Sequence, residues 1–372
     1  MNNFNQFNII KEILQFEYEN KMISKGNNFP KLNINEYNLK DICILLHNKI
    51  EISEISRYFG WSQKELSDRL ELLLKEELII KKQNEYIPYL MVISLEEGKK
   101  LNEQLDKIAY NVIKLIKDKF DEIKKETYKF ECFKQFKFNE ISLFILSNVV
   151  LDSIQIDNVE KLFLKSERTS RNGMNYYYSL QEKYNHTEKE SLGIYGNMFR
   201  YYGDIAFGLY GNERNGINFH TIDNLCLETY FGSFNFKSVN DFKGYLLKEL
   251  LKCFKKKDYE LTENLVSGFN DLGIMKGTKI NIPVLNKDDY YKLNDIANII
   301  KDDYINIFNE NYKSIHYSYN NSVYSNEISF EEYFIWWYHL LYSRVTDLLI
   351  GAHIIDIPNT GNFSYVVGNY KS

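Results

Sequence analysis

The chain is poor in the residues that most often announce a special chemistry. It has four cysteines and four prolines among 372 residues, and arginine is scarce. Cys43, Cys132, Cys226 and Cys253 stand far apart without C-x-x-C spacing, which argues against a structural zinc site and a disulfide framework. Neither G-x-G-x-x-G nor a P-loop sequence occurs, so nucleotide binding has no motif behind it. H-E-x-x-H, G-x-S-x-G and Cys–His signatures are missing as well, so no catalytic residue, metal ligand or cofactor is assigned. No apolar run reaches the length that crosses a bilayer; the most apolar, Ile141 to Leu151, is interrupted by Ser147 and Asn148. Met1-Asn2-Asn3-Phe4 is not a basic region feeding an apolar one, so a secretory signal is not expected and the expected location is the cytoplasm. A net charge of −5 and a pI near 5.8 give no global attraction to a polyanion.

What is present argues for a folded protein with two or three domains. The chain is 44% apolar and 16% aromatic, far from a disordered composition. Its bias toward Asn, Lys, Ile and Tyr is the kind an AT-rich genome imposes, so lysine and asparagine clusters carry little functional weight.

The most patterned stretch runs from about Asn38 to Lys107. Asn38 with Asp41 opens a helix carrying Ile42, Leu45 and Leu46, and Ser53 can cap a short one carrying Ile55 and Phe59. Gly60 ends that helix, and Ser62 with Glu65 forms a capping box for a third, whose Leu66, Leu70, Leu73 and Leu74 make one apolar face. Leu78 to Lys82, a polar turn at Gln83-Asn84-Glu85 and Tyr89 to Ile93 read as a hairpin. Ser94 with Glu97 is a second capping box, opening a helix from Leu95 to about Lys125 with a stripe of Leu101, Leu105, Ile108, Val112 and Ile116.

Helix, turn, helix, hairpin, long helix is an order that resembles the winged-helix domain of MarR-type bacterial transcriptional regulators. Lys75-Glu76-Glu77-Leu78-Ile79-Ile80-Lys81-Lys82 and Ile93-Ser94-Leu95-Glu96-Glu97-Gly98-Lys99-Lys100-Leu101 carry the resemblance, which covers residues 5 to 127. It implies that the first segment closes a recognition helix and that the second leaves the wing to begin a dimerisation helix. It also implies that a helix over residues 5–24 packs on the long helix, often across a dimer axis. The family usually has an acidic-x-arginine element at the wing tip, and Gln83 to Pro88 contains no arginine.

Beyond a linker near 126–138, an apolar helix over 141–150 precedes a change to strand-like patterns. Strands are expected at Lys161–Arg168 and Met174–Leu180 around an Asn172-Gly173 turn, and at Met198–Phe207. Further strands are expected at Ile217–Ile222 after Asn215-Gly216, and at Leu225–Phe236, making one antiparallel sheet over 155–237. Two near-copies, Gly193-Ile194-Tyr195-Gly196-Asn197 and Gly208-Leu209-Tyr210-Gly211-Asn212, read as paired β-turns or as a ligand cradle. Helices are expected at 238–256, 260–272, 288–312 and 329–350, with short strands at Lys279–Ile282, Ile354–Ile357 and Phe363–Val367. The fold class is therefore multi-domain α+β: a winged helix with a long dimerisation-type helix over residues 1–127, and an antiparallel sheet with packed helices over 128–372.

Candidate DNA-binding residues are Ser62, Gln63, Lys64, Ser67 and Arg69 on the capped helix, with Lys81 and Lys82 on the wing for phosphates. Residues 40–90 hold eight Lys and Arg against nine Asp and Glu, so the region is not basic. In the second region, His339, Ser343 and Asp347 form an i, i+4, i+8 polar stripe on an otherwise apolar helix. With Arg200 and Tyr202 they make a candidate ligand site; a hydrogen-bonded core histidine is the plainer account. Glu167, Arg168, Arg171, Asp204, Glu213, Arg214 and His220 could also converge on an anionic ligand, or be solvated hairpin charges. The leading reading is a cytoplasmic, homodimeric transcriptional regulator that binds double-stranded DNA and senses a small-molecule or protein effector, without membrane contact. The alternatives are an enzyme with a winged-helix dimerisation arm and a protein-interaction module.

Overall fold

The structure, a computed structural model, describes residues 2–24, 30–167, 170–183, 193–212, 230–232, 235–256, 259–359 and 361–368. It is a mixed α+β protein with two compact units. The first comprises Met1–Asp106, Leu164–Leu192 and Phe308–Leu341; the second comprises Lys107–Phe163, Gly193–Ile307 and Tyr342–Ser372. A single cut after residue 127 does not reproduce them, because two later segments belong with the N-terminal one.

In the first unit, helix Asn2–Leu14 stops well before residue 24, and Tyr18–Ser24 is a strand, β1. The apolar spacing of residues 39–75 yields the three expected helices, Leu39–His47, Ile52–Phe59 and Gln63–Lys75. Ile42, Leu45, Ile55, Leu66, Leu70 and Leu73 meet in one core. Two strands follow, β2 (Ile79–Lys82) and β3 (Glu85–Pro88), paired antiparallel around a two-residue loop in which Gln83 takes a φ of 54°. The hairpin thus returns through Glu85–Pro88 and not through Tyr89–Ile93. That second apolar run is β4 (Met91–Ile93), which runs parallel to β5 (Tyr176–Glu182). β5 also pairs antiparallel with β1 along its whole length, from Tyr18 opposite Glu182 to Ser24 opposite Tyr176. This pairing explains the early end of the first helix: an aromatic strand, buried at every position, supplies β1 with a full ladder that a helix end lacks. Asn172 and Gly173 both take positive φ, as expected for a tight turn, but only the single bridge Arg171–Met174 closes over it.

In the second unit, Leu143–Asp152 winds as a π-helix, all ten residues buried, with Ser153 N donating to Asn148 O at 2.9 Å. The strand expected at Lys161–Arg168 does not form over its described residues, 161–167: helical structure continues from Gln155 to Leu164. Met198–Phe207 is not one strand but two, β6 (Gly196–Tyr202) and β7 (Ile205–Gly211), folded back at Gly203. After β8 (Met275–Lys276) and β9 (Lys279–Ile280) come β10 (Val284–Asn286) and β11 (Asn362–Gly368). The sheet order is β10-β11-β7-β6, antiparallel except that β10 runs parallel to β11. The expected all-antiparallel sheet over 155–237 is corrected on both counts, since β5 belongs to the first unit's sheet and β10 adds a parallel edge. The turn at Asn215-Gly216, the strand Ile217–Ile222 and most of Leu225–Phe236 lie outside the described residues. Helix Val239–Lys255 starts at its Ser238 cap, and with Glu263–Asp271 it covers Phe207, Leu209 and Val284 from the sheet. The helix expected over 288–312 is broken near Ile299 into Lys287–Asn298 and Lys301–Asn320, whose residues from Phe308 on belong to the first unit; Phe330–Gly351 follows, its residues up to Leu341 also counted in the first unit, and Ile354–Ile357 forms no strand.

Candidate functional site

The capped helix is built as its sequence dictates. Gly60 ends the preceding helix at φ 69°, a conformation costly for any residue with a Cβ. Ser62 N and Oγ both donate to Glu65 Oε2, at 2.8 and 2.7 Å, and Glu65 N donates back to Ser62 Oγ at 3.3 Å. These bonds from Ser62, with Arg69 nearby, hold the Glu65 carboxyl below its usual range. Gln63, Lys64 and Ser67 are exposed just beyond the cap, where a groove-reading helix needs them. Arg69 is not free to join them. Its guanidinium lies 4.3 Å from the Trp61 ring centroid, Nε donates to Tyr37 O at 3.0 Å and Nη1 donates to Glu65 O at 2.8 Å. It braces the turn, and Trp61 is in turn stacked on Phe59 at 4.5 Å. On the hairpin Lys81 is exposed, its ammonium 5.4 Å from the Tyr86 ring, whereas Lys82 Nζ donates to Asn326 O at 2.7 Å. The exposed face of the capped helix is mixed in sign: Lys64, Asp68, Glu71 and Lys75 follow one another at helical spacing.

The first unit also holds a buried ionic cluster, which no local sequence pattern announces because its members are far apart in the chain. His47 Nδ1 is 2.8 Å from Glu327 Oε2, and its Nε2 is 3.0 Å from Glu97 Oε1. Burial alone would lower the imidazole pKa, but hydrogen bonds to the two carboxylates outweigh it and raise His47 to about 9. Glu97 is the acidic member of the Ser94 capping box, so the box and the ion pair share one side chain. Arg171, read as a possible anion binder, is fully buried: it pairs with Glu332 and donates to Tyr89 O and Tyr176 O.

The ligand-site candidates separate. His339, buried in the first unit, bonds through Nδ1 to Ile335 O at 2.7 Å, one helical turn back. In the second unit Ser343 Oγ accepts from Tyr195 N and Asp347 Oδ1 accepts from Tyr195 OH, both at 3.0 Å. Arg200 is exposed on β6 with Nη1 donating to Phe199 O, and Tyr202 packs in the apolar cluster against helix Val239–Lys255. Ser343 and Asp347 thus meet at one tyrosine, Tyr195. Arg168, Glu213, Arg214 and His220 lie outside the described residues.

Tyr195 leads into a larger polar network. The two Gly-x-Tyr-Gly-Asn copies are neither turns nor a loop cradle; they enter and leave the β6–β7 hairpin, with Gly196 opposite Gly211 and Asn197 opposite Tyr210. Gly208 is required by a close approach, since a Cβ there would come within 2.5 Å of the Tyr365 ring. Tyr210 OH and Ser147 Oγ lie 2.7 Å apart, and Ser147 Oγ is as close to Thr346 Oγ1. Asn197 donates to Asn148 Oδ1 at 2.6 Å and accepts from Tyr365 OH at 2.9 Å. Asp152 sits among these groups, and burial raises its pKa to about 8 against hydrogen bonds from Tyr342 and Tyr210. The signal present in the sequence is Ser147 and Asn148 interrupting the most apolar run, with Asp152 directly after it. No protein-family model, curated protein or solved structure matches the chain.

Proposed function

We propose that the first unit is a winged-helix module that binds double-stranded DNA, and that the second unit is the sensing part of a transcriptional regulator. The observation carrying the reading is the capped start of helix Gln63–Lys75. It presents Gln63, Lys64 and Ser67 to solvent, with the β2–β3 hairpin holding Lys81 exposed after it. A helix start with a polar, hydrogen-bonding surface suits a major groove, and the hairpin suits the adjoining backbone. Binding would couple to an effector by a shift in the populations of two arrangements of the protein. Fluorescence anisotropy of the full chain with labelled genomic duplexes at low salt tests this; a flat titration removes the DNA reading.

A second reading, a protein-docking surface, is favoured by the mixed face. Asp68 and Glu71 stand beside Lys64, Arg69 is committed to Trp61, and Leu74 is 37% exposed on the same helix. Phosphate repulsion from the two acids is the term that separates the readings.

A further inference from the structure

The second unit contains a cleft of about 450 Å³ that neither the DNA reading nor the polar stripe uses. Its volume lies in the ordinary range for small-molecule sites. Leu272, Ile282 and Phe363 are buried and form its apolar floor, and Phe136 stands half-buried at its side. Among the described residues, its charged lining consists of Glu140 and Asp356. No described lysine, arginine or histidine lines it, so the described lining offers an anion no counter-charge.

We propose that this cleft binds a small organic monocation, a protonated amine carried on an apolar body. The two carboxylates select the charge, and the phenylalanine rings favour a cation over an anion because their faces are electron-rich. The apolar floor takes the body of the ligand.

Asp356 is held for this role before any ligand arrives. Its Oδ2 accepts from Asn139 Nδ2 at 2.8 Å, and its backbone N donates to Ser142 Oγ at 2.9 Å. Ser142 Oγ itself donates to Asn139 O at 2.8 Å, so loop and helix start form one bonded frame. Glu140 is fixed through Oε2, which accepts from Lys137 N at 2.7 Å. Oδ1 of Asp356 and Oε1 of Glu140 are the oxygens we assign to the ammonium group. Fixed carboxylates lose little side-chain entropy on binding, which is the advantage of a preorganised site. The inference goes beyond the regulator reading and stands if the chain never touches DNA.

Calorimetry on the full chain with three probes of one shape tests it: phenethylammonium, phenethyl alcohol and hydrocinnamate. The ammonium ion is expected to bind, the alcohol to bind more than about tenfold more weakly for want of both ion pairs, and the carboxylate to show no heat of binding. Asp356→Asn should reduce ammonium affinity by about tenfold and leave the alcohol unchanged. A circular dichroism melt confirms that the variant is folded; if it is not, Glu140→Gln, which keeps the acceptor for Lys137 N, should shift the ammonium affinity in the same direction. Equal binding of all three probes, tighter binding of the carboxylate, or no binding of the ammonium ion at millimolar concentration overturns the proposal.

Discussion

His47 and Glu327 are 280 positions apart in the chain, and their side chains meet at 2.8 Å inside the first unit. Glu327 is fully buried, and Lys49 reaches its second oxygen at 3.3 Å from a largely exposed position. The imidazolium is therefore the principal counter-charge for a carboxylate that water cannot reach. Removing one partner from such a pair leaves an uncompensated buried charge, a loss of about 3–5 kcal/mol.

The first prediction is a loss of stability in alkali. The pKa of His47 is raised to about 9, above its unfolded value. Its contribution is fully present below the unfolded pKa and is lost as pH rises through about 9. His47→Gln should melt well below the unaltered protein at neutral pH, and the gap should narrow once the medium is more alkaline than that. Thermal melts followed by circular dichroism at several pH values measure it; a gap that stays constant with pH would show that the imidazole is neutral in the fold.

Asp152 bears on the same pH range by a different route. Its carboxyl is raised to about 8 by burial, so the folded state prefers the protonated form. The stability this confers is complete at acidic pH, below the unfolded pKa, and is lost as pH rises toward about 8. Asp152→Asn keeps the shape and cannot ionise. It should therefore melt higher than the unaltered protein in mildly alkaline buffer and show no advantage in acid. A variant that is less stable at every pH would mean that the network needs the carboxylate.

The two networks show where sequence legibility ends. Capping boxes at Ser62 and Ser94, and the Ser238 cap, were readable because each is closed within four residues. The helices they begin were found for the same reason. β1, β4 and β10 were misread or missed because their identity is set by remote partners: Ser179 for Met91, Val366 for Val284. Local periodicity cannot tell a wing strand from a strand destined for another sheet. The stripe at Ser343 and Asp347 was legible as a set of groups needing partners. That the partner is Tyr195, from the first Gly-x-Tyr-Gly-Asn copy, depends on a pairing across some 150 residues that only the fold supplies.

The long helix can be tested in its own right. Leu101, Leu105, Ile108, Val112 and Ile116 on its apolar stripe are all buried. Ile108→Glu with Val112→Glu is then expected to destabilise the fold, not to release a folded monomer. Burying one uncompensated carboxylate costs several kcal/mol, enough to offset most of a domain's stability. Light scattering with circular dichroism distinguishes the cases: a folded, monomeric double variant derived from a dimeric parent would restore this helix as the dimer interface.

The last prediction uses charge to decide between DNA and a protein partner at the capped helix. Asp68 and Glu71 are exposed on the face that would meet a groove, and each would be repelled by phosphates. At about 10 Å in water the repulsion of one acid from one phosphate is roughly 0.4 kcal/mol, about a doubling of affinity when it is removed. Asp68→Asn with Glu71→Gln should therefore tighten DNA binding several-fold at low salt, with the gain fading as screening shortens to the same distance. Lys81→Ala should weaken binding to every sequence and flatten the salt dependence by about one phosphate contact. Lys82→Ala should do less, because its ammonium is already bonded to Asn326 O. Anisotropy titrations across a salt series give all three numbers. If removing the two acids leaves DNA binding unchanged while Lys81→Ala weakens it, the helix is not in the groove and the hairpin alone makes the contact. If neither change has any effect, the charges of this face do not meet phosphate, and the mixed surface belongs to a protein partner.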